Sequence, residues 1–146
     1  MKQTTKMLEI RTSGRGLIEI TGQIDGFVRA SGLDDGLLTV FCRHTSASLL
    51  IQENADPAVR HDLETFFAKL IPDGQPGWLH DSEGPDDMSG HIRSALTQTS
   101  LSIPLVAGRL ALGTWQGVYL WEHRTRPQRR EVVLHLLGES SVRHRR

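Results

Sequence analysis

The sequence predicts a single α+β domain in which strands dominate and about three helices lie between them. Three observations carry that expectation. The chain has 146 residues, the common size of one domain, and folding at that size hides about 68–70% of the unfolded surface, enough for a core without disulfides or metal. Its composition, 38% hydrophobic and 23% charged, is that of an ordinary globular chain. Short apolar runs bounded by turn residues recur along it, with a few stretches of helical spacing among them.

Met7–Arg11 and Gly16–Ile20 are strand-like runs separated by Thr12-Ser13-Gly14-Arg15, which predicts a hairpin with a glycine-bearing turn. Thr21 is placed to cap a short helix with Ile24, Phe27 and Val28 on one face. Leu33-Asp34-Asp35-Gly36 reads as a turn, and Leu37–Phe41 and Ser46–Gln52 as strands. Asp56-Pro57 is a helix start, with Asp as N-cap and Pro at the first helical position. Val59, Leu63, Phe66, Phe67 and Leu70 follow at helical spacing as an apolar stripe for the core. After the loop Pro72–Gly77, Asp86 or Asp87 starts a third helix through Met88, Ile92, Ala95 and Leu96. Leu101–Val106, Arg109–Gly113, Gly117–His123 and Glu131–Leu137 read as strands joined by short turns.

Lys plus Arg and Asp plus Glu each count 17, so no basic field exists to attract nucleic acid. The basic end, residues 139–146, is expected to be a disordered tail. No run approaches the roughly 20 apolar residues of a membrane span, and Met1–Arg11 does not resemble a signal peptide. A cytoplasmic protein without membrane or nucleic-acid partners is the expectation. The one cysteine, Cys42, lies in an apolar run and reads as a buried side chain rather than as a nucleophile served by His44.

Three segments concentrate the polar chemistry. In an extended Phe41–Gln52, alternation puts His44, Ser46, Ser48 and Gln52 on one face, an imidazole, two hydroxyls and an amide suited to an oxyanion. A solvent-facing strand side would look the same. Asn54 and Asp56 follow at the strand-to-helix junction, where helix amides favour anions, although Asp56 is first of all the cap. The second segment, His80–His91, holds two histidines and four carboxylates in twelve residues. Asp87 and His91 are four apart and share a helix face, where they can hold a divalent metal or act as an oriented acid–base pair. A surface pair at a helix start is the plainer account. Gly84-Pro85 and Gly90 suggest a constrained backbone there. The third segment, Gly113–His123, puts Gln116 and Glu122 on one side and Trp115, Tyr119, Trp121 and His123 on the other, with Gly113 and Gly117 breaking the alternation. Glu122-His123-Arg124 joins acid, base and cation.

His44-Thr45-Ser46-Ala47-Ser48-Leu49, Glu53-Asn54-x-Asp56-Pro57, Glu83-Gly84-Pro85-Asp86-Asp87-Met88-x-x-His91-Ile92 and Gly113-Thr114-Trp115-Gln116-Gly117 with Glu122-His123-Arg124 closely resemble the YjbQ-like family. The resemblance runs from Thr4 to Gly138. It implies a compact α+β protein with a β-sandwich-like, mixed-sheet core, assembled as a homotrimer. It also implies secondary thiamine-phosphate synthase activity, joining a pyrimidine pyrophosphate to a thiazole phosphate. Ser89-Gly90 departs from the Pro or Asp followed by Ala expected there, and Arg124-Thr125-Arg126-Pro127 lacks the family's glycine-rich turn.

That reaction needs a divalent ion and cationic or amide groups for the departing pyrophosphate. The segments contain no Walker-type loop and no lysine. The expectation is therefore a metal-assisted enzyme acting on a small phosphorylated metabolite, with Mg or Zn as cofactor. His44, Asp87, His91, Glu122 and His123 are the catalytic candidates. His44, His80, Glu83, Asp87, His91 and His123 are the metal candidates, and Ser46, Ser48, Asn54, Gln116 and Arg124 would hold the substrate. Phosphate-ester hydrolysis at the same metal and a non-catalytic metabolite-binding protein are the alternatives.

Overall fold

In a computed structural model of the chain, residues 1–141 are described. Its strands are β1 (Lys2–Arg11), β2 (Gly16–Glu19), β3 (Asp35–Cys42), β4 (Ala47–Glu53), β5 (Ser100–Val106), β6 (Arg109–Leu110), β7 (Gln116–Glu122) and β8 (Arg129–Glu139), and its helices α1 (Thr21–Ser31), α2 (Pro57–Leu70) and α3 (Asp87–Leu96). A five-stranded sheet, ordered β1-β8-β3-β5-β6, packs on a three-stranded sheet, β2-β7-β4. Alternation along the strands sends Leu38, Val40, Leu134 and Leu136 from one sheet and Leu49, Val118 and Leu120 from the other into a shared core, closed by Ile24, Phe27 and Val28 of α1. The α+β class with three helices and two packed sheets is the one expected. Every strand pairing among the described residues is antiparallel, so the sheets are antiparallel rather than mixed.

The first two strands part company, which corrects the predicted N-terminal hairpin. β1 pairs with β8, and β2 pairs with β7 in the other sheet. The link between them crosses from sheet to sheet, held where the Thr12 N–H donates to the Gln128 carbonyl. β3 and β4 are divided in the same way. At the far end of the large sheet Gly36 faces Gly138, and a Cβ on Gly36 would stand 2.1 Å from the Leu137 carbonyl oxygen. β6 is two residues long, not the five of Arg109–Gly113. Residues 139–141 are also held, against the expected tail. Glu139 ends β8, the Ser140 hydroxyl donates to the Gly32 carbonyl, and the Ser141 N–H donates to Asp34. Residues 142–146 lie outside the described residues.

One helix start differs from expectation, while α3 begins at Asp87 as expected. Thr21 is the first helical residue, not the cap. Its hydroxyl donates to Glu19 and accepts the Val118 N–H, tying α1 to β7. Asp86 occupies the cap position of α3 without capping it, because its carboxylate is turned toward Arg124 and Thr125. Asp56 does cap α2, accepting the Ala58 N–H at 2.9 Å with Pro57 behind it. The α2 stripe is only half-buried, with Phe66 and Leu70 exposed. Phe67 meets the Trp121 ring at 4.7 Å, and Glu64 accepts the indole N–H. With α2 and α3 lying on it, the second face of the small sheet is buried rather than solvent-facing, which is why Ser48, Tyr119 and Trp121 are all inaccessible.

Candidate functional site

The loop 72–86 and the first turns of α3 bring His80, Asp87 and His91 together. One ligand atom from each lies within 4.8 Å of the others, and among the described residues no other such group of three exists. Asp87 Oδ2 is 2.5 Å from His80 Nε2 and 3.3 Å from His91 Nε2. Glu83 lies at the margin, 3.5 Å from the same His80 nitrogen. Helical spacing accounts for Asp87 and His91, which sit one turn apart on the same face. His80 arrives from outside the helix.

Two clamps hold the loop in place. Arg124 donates from Nε to Asp86 at 3.1 Å, from one terminal nitrogen to Asp87 Oδ1 at 2.8 Å and from the other to the Glu83 carbonyl at 2.8 Å. Thr125 adds its N–H and hydroxyl to the same Asp86 oxygen. Burial alone would raise the Asp86 carboxyl; the Thr125 N–H, the Arg124 side chain and the Thr125 hydroxyl together hold it down to about 2. At the other end Arg15 makes a two-pronged contact with Asp73 at 2.9 and 3.0 Å, and the buried Ser89 hydroxyl donates to the same carboxylate. Gly84, with φ of 105°, supplies the left-handed turn between the clamps.

The Asp87 carboxyl is pushed up by burial, but hydrogen bonding with Glu83 and His80 and the charges of Arg124 and His91 bring it below its ordinary value. His91 Nδ1 lies 2.8 Å from the Thr45 carbonyl oxygen. A carbonyl only accepts, so that nitrogen carries the proton. In the neutral ring Nε2 is then a bare lone pair facing a carboxylate, and only a second proton or a cation relieves that opposition. Two imidazoles and one carboxylate, with one imidazole oriented by a backbone carbonyl, fit a divalent cation with open coordination positions.

The remaining candidates do not converge here, and the expected meeting of His44, His91 and His123 does not form. His44 Nε2 accepts the Glu131 N–H at 2.8 Å and Nδ1 faces Arg130, so the ring staples β8 to the chain entering β4. His123 is fully buried, its Nε2 2.8 Å from the Ser48 hydroxyl. Burial, then the charges of Arg93, Arg15 and Arg130, lower it to about 3 and keep it neutral. Glu122 is saturated: Thr12, Arg130 twice and the Arg124 N–H occupy its two oxygens. Ser46 is engaged by Arg130 and Ser48 by Thr97 and His123. Asn54 and Gln116 sit at the opposite end of the small sheet. Gln116 pairs with Glu53 and Glu122 with Ala47, and six residues of strand separate these ends by about 20 Å. Arg124 reaches the site but spends its donors on the loop.

Arg15, Asp73, Ser89, Arg93 and Arg130 were not singled out by the sequence. Asp73 reads there as part of a Pro-Asp-Gly turn, Arg15 and Arg93 have no local signal because their partners are distant in the chain, and Arg130 meets Glu122 eight residues away, at no helical or strand spacing. Arg93 is fully buried in α3, donating to Glu64, and among the described residues its Nε and one terminal nitrogen have no hydrogen-bond partner.

A family profile described as "UPF0047 protein YjbQ-like" matches residues 6–139. A UPF0047 protein from Synechocystis is 56% identical over 138 residues, covering 94% of each chain. The YjbQ protein of Escherichia coli O157:H7 is 43% identical, covering 94% of this chain and 98% of its own. The crystal structure of a hypothetical protein from Aeropyrum pernix superposes with a TM-score of 0.85 at 31% identity, covering 93% of this chain and 99% of that one. A conserved hypothetical protein from Thermus thermophilus does so at 0.80 and 36% identity, covering 90% and 99%. With the profile spanning nearly the whole fold and relatives well above 30% identity along its length, the chain belongs to the YjbQ-like family of UPF0047 proteins.

Proposed function

We propose that the protein is a metal-assisted enzyme acting on a small phosphorylated metabolite, with thiamine-phosphate formation as the named activity to test first. The observation that carries the reading is the His91 ring: its Nδ1 proton is committed to the Thr45 carbonyl, and its Nε2 is aimed at Asp87 beside His80. Of the two ions expected, zinc suits this donor set and magnesium does not, since magnesium favours oxygen ligands and keeps its waters. The same two-histidine, one-carboxylate set also suits iron(II). A bound divalent ion would supply positive charge to phosphate oxygens. The chain's own part is to orient. Asp87 and His91 are held by Arg124 and Thr45, and Glu83 stands at the margin as the proton-transfer group. A cavity of about 590 Å³, lined by Glu83, Asp86, Arg124 and Arg126, opens beside the cluster. Arg126 has no partner among the described residues and supplies the phosphate contact.

The test is metal analysis with product analysis. Wild type is expected to hold one zinc or iron per chain and His91→Ala to lose it, while His44→Ala retains it. If His91→Ala stays folded and keeps all turnover, the catalytic reading fails and metabolite binding remains. Three protein ligands leave a position for water, which favours hydrolysis as a second reading. Consumption of the pyrimidine pyrophosphate that ignores the thiazole phosphate would select it.

A homotrimer is part of the proposal. Met7 and Phe41 flank Val133 across three strands on the outer face of the large sheet, and Leu37 faces Leu137. Met7, Leu37, Phe41 and Leu137 are each at least 40% exposed, an apolar face suited to a second copy. A sedimentation mass equal to the 16.3 kDa monomer at micromolar concentration would refute it. Among the described residues no helix is long and apolar enough to cross a membrane.

A further inference from the structure

A separate cavity of about 480 Å³ lies between α1 and the turn carrying β6, at the Gln116 end of the small sheet. Val28, Leu110 and Leu112 supply its apolar side. Arg29 enters from α1 and Arg109 from β6, with Asp25 one helical turn before Arg29. Among the described residues neither guanidinium has an ion-pair or hydrogen-bond partner, and Asp25 pairs with neither. This contrasts with Arg15, Arg93, Arg124 and Arg130, each committed to a carboxylate. Placement near the C-terminus of α1 explains Arg29 through the helix dipole. It does not explain Arg109, which reaches the same cavity from another element.

Gln116 supplies the remaining polar group. Its side-chain oxygen accepts the Gly113 N–H at 2.8 Å, which fixes the amide and leaves its NH₂ as a donor. Thr21 is already committed, donating to Glu19 and accepting from Val118. The cleft therefore offers two guanidiniums and an amide donor over an apolar floor, with one carboxylate at its edge. Planar guanidiniums match carboxylate geometry, and a pocket of this size with few convergent polar groups suits a small molecule. Two positive charges face Asp25 in the lining, with Glu19 bonded to Thr21 and Asp34 beside Gly108 just behind it, a balance too weakly positive for a dianion and better suited to a monoanion.

We propose that this cleft binds a small monocarboxylate carrying an apolar ring or short chain. The site is independent of the histidine cluster and requires no metal.

The experiment is a titration of the full-length protein with benzoate, followed by backbone amide NMR. Saturable shifts are expected at Val28, Leu110, Leu112 and Gln116. Arg29→Gln and Arg109→Gln are each expected to weaken binding about tenfold, the scale of one charge-assisted hydrogen bond. Both side chains are exposed, and unchanged spectra elsewhere establish that the fold is intact. Benzyl alcohol, which lacks the charge, and inorganic phosphate, which lacks the apolar body, are expected to bind at least about tenfold more weakly than benzoate. The inference is overturned by an absence of saturable shifts at these four residues. It is equally overturned if the double variant binds as wild type does, or if either control probe matches benzoate.

Discussion

Glu122 and Asp87 are both carboxylates withdrawn from solvent, with 0% and 3% of the side chain exposed, and both lie within reach of an arginine and a histidine-bearing segment. Their surroundings differ in one respect. Every lone-pair direction of Glu122 meets a fixed donor from Thr12, Arg130 or the Arg124 backbone. Asp87 gives one oxygen to Arg124 and turns the other to two imidazole nitrogens at the protein's rim. A carboxylate saturated by permanent donors can neither bind a cation nor exchange a proton without breaking the core. One that faces removable protons can do both. Counting carboxylates and histidines therefore does not find a site; the number of uncommitted lone pairs does.

The largest effect expected from this contrast is on stability. Glu122→Ala leaves the Arg130 charge buried without its partner, and removing one member of a buried pair costs about 3–5 kcal/mol. Asp87→Asn keeps the shape and one acceptor for Arg124, which is itself partly exposed, so about 1 kcal/mol is expected, together with loss of the proposed metal binding. Urea unfolding of the two variants measures this. A greater loss for Asp87→Asn than for Glu122→Ala would reverse the assignment of the two carboxylates.

The next effect is on acid stability. His123 is held neutral down to about 3, whereas the unfolded chain takes up a proton near its ordinary value of 6.5. The folded state thus binds fewer protons between those limits. Its stabilising contribution is complete above about pH 6.5 and falls by at most about 1.4 kcal/mol per pH unit toward pH 3. His123→Gln is expected to flatten the midpoint-against-pH curve in this window. The Asp86 contribution has the same sign in a lower window, present above 3.8 and lost as pH falls through about 2. An unchanged slope between pH 6.5 and 4 in His123→Gln would mean that another group carries the acid sensitivity.

A smaller effect sharpens the open side of the comparison. Asp73 does not touch the histidines, yet Arg15 and Ser89 grip it seven residues before His80. Asp73→Asn is expected to weaken the proposed metal binding about tenfold, as loss of a supporting partner does at known metal sites. Asp73→Glu is expected to restore part of the affinity. Equal metal affinity in wild type and Asp73→Asn would show that the loop holds His80 without this clamp.

How much of this was legible depends on whether the signal is local. Asp56-Pro57, the apolar face of α1 and the Asp87–His91 pair were readable because capping and periodicity act within one turn. His80 is in the same polar segment, but its approach to Asp87 depends on the fold of the loop before α3, which periodicity does not reach. The N-terminal hairpin was misread because strand-like runs say nothing about which strand they pair with, and β1 finds β8 more than a hundred residues away. His44, Glu122 and His123 looked like site residues because their chemistry is visible in sequence. Glu131 and Ser48, which commit the two histidines to structure, are distant in the chain, and Arg130, eight residues from Glu122, reaches it across a turn that periodicity does not describe.

Gly90 joins the two regions, since it faces Ser46 and His123 on the saturated side and Arg124 on the open one. It sits inside α3 with no positive φ, so glycine is not required there by the backbone. A Cβ would meet the Ser46 Cβ at 3.5 Å, with Arg124 Cδ and His123 Cβ at 3.6 Å, which is ordinary contact rather than a clash. Alanine in a helix interior is favoured over glycine by about 0.5–1 kcal/mol. Gly90→Ala is therefore expected to raise stability by about that amount and to leave metal affinity unchanged, because none of the three contacts moves Asp87 or His91. Thermal unfolding with and without zinc checks both halves. A stabilised variant that loses zinc would mean the two regions are mechanically coupled through this turn of α3, and that packing behind the helix helps set the geometry of the open carboxylate.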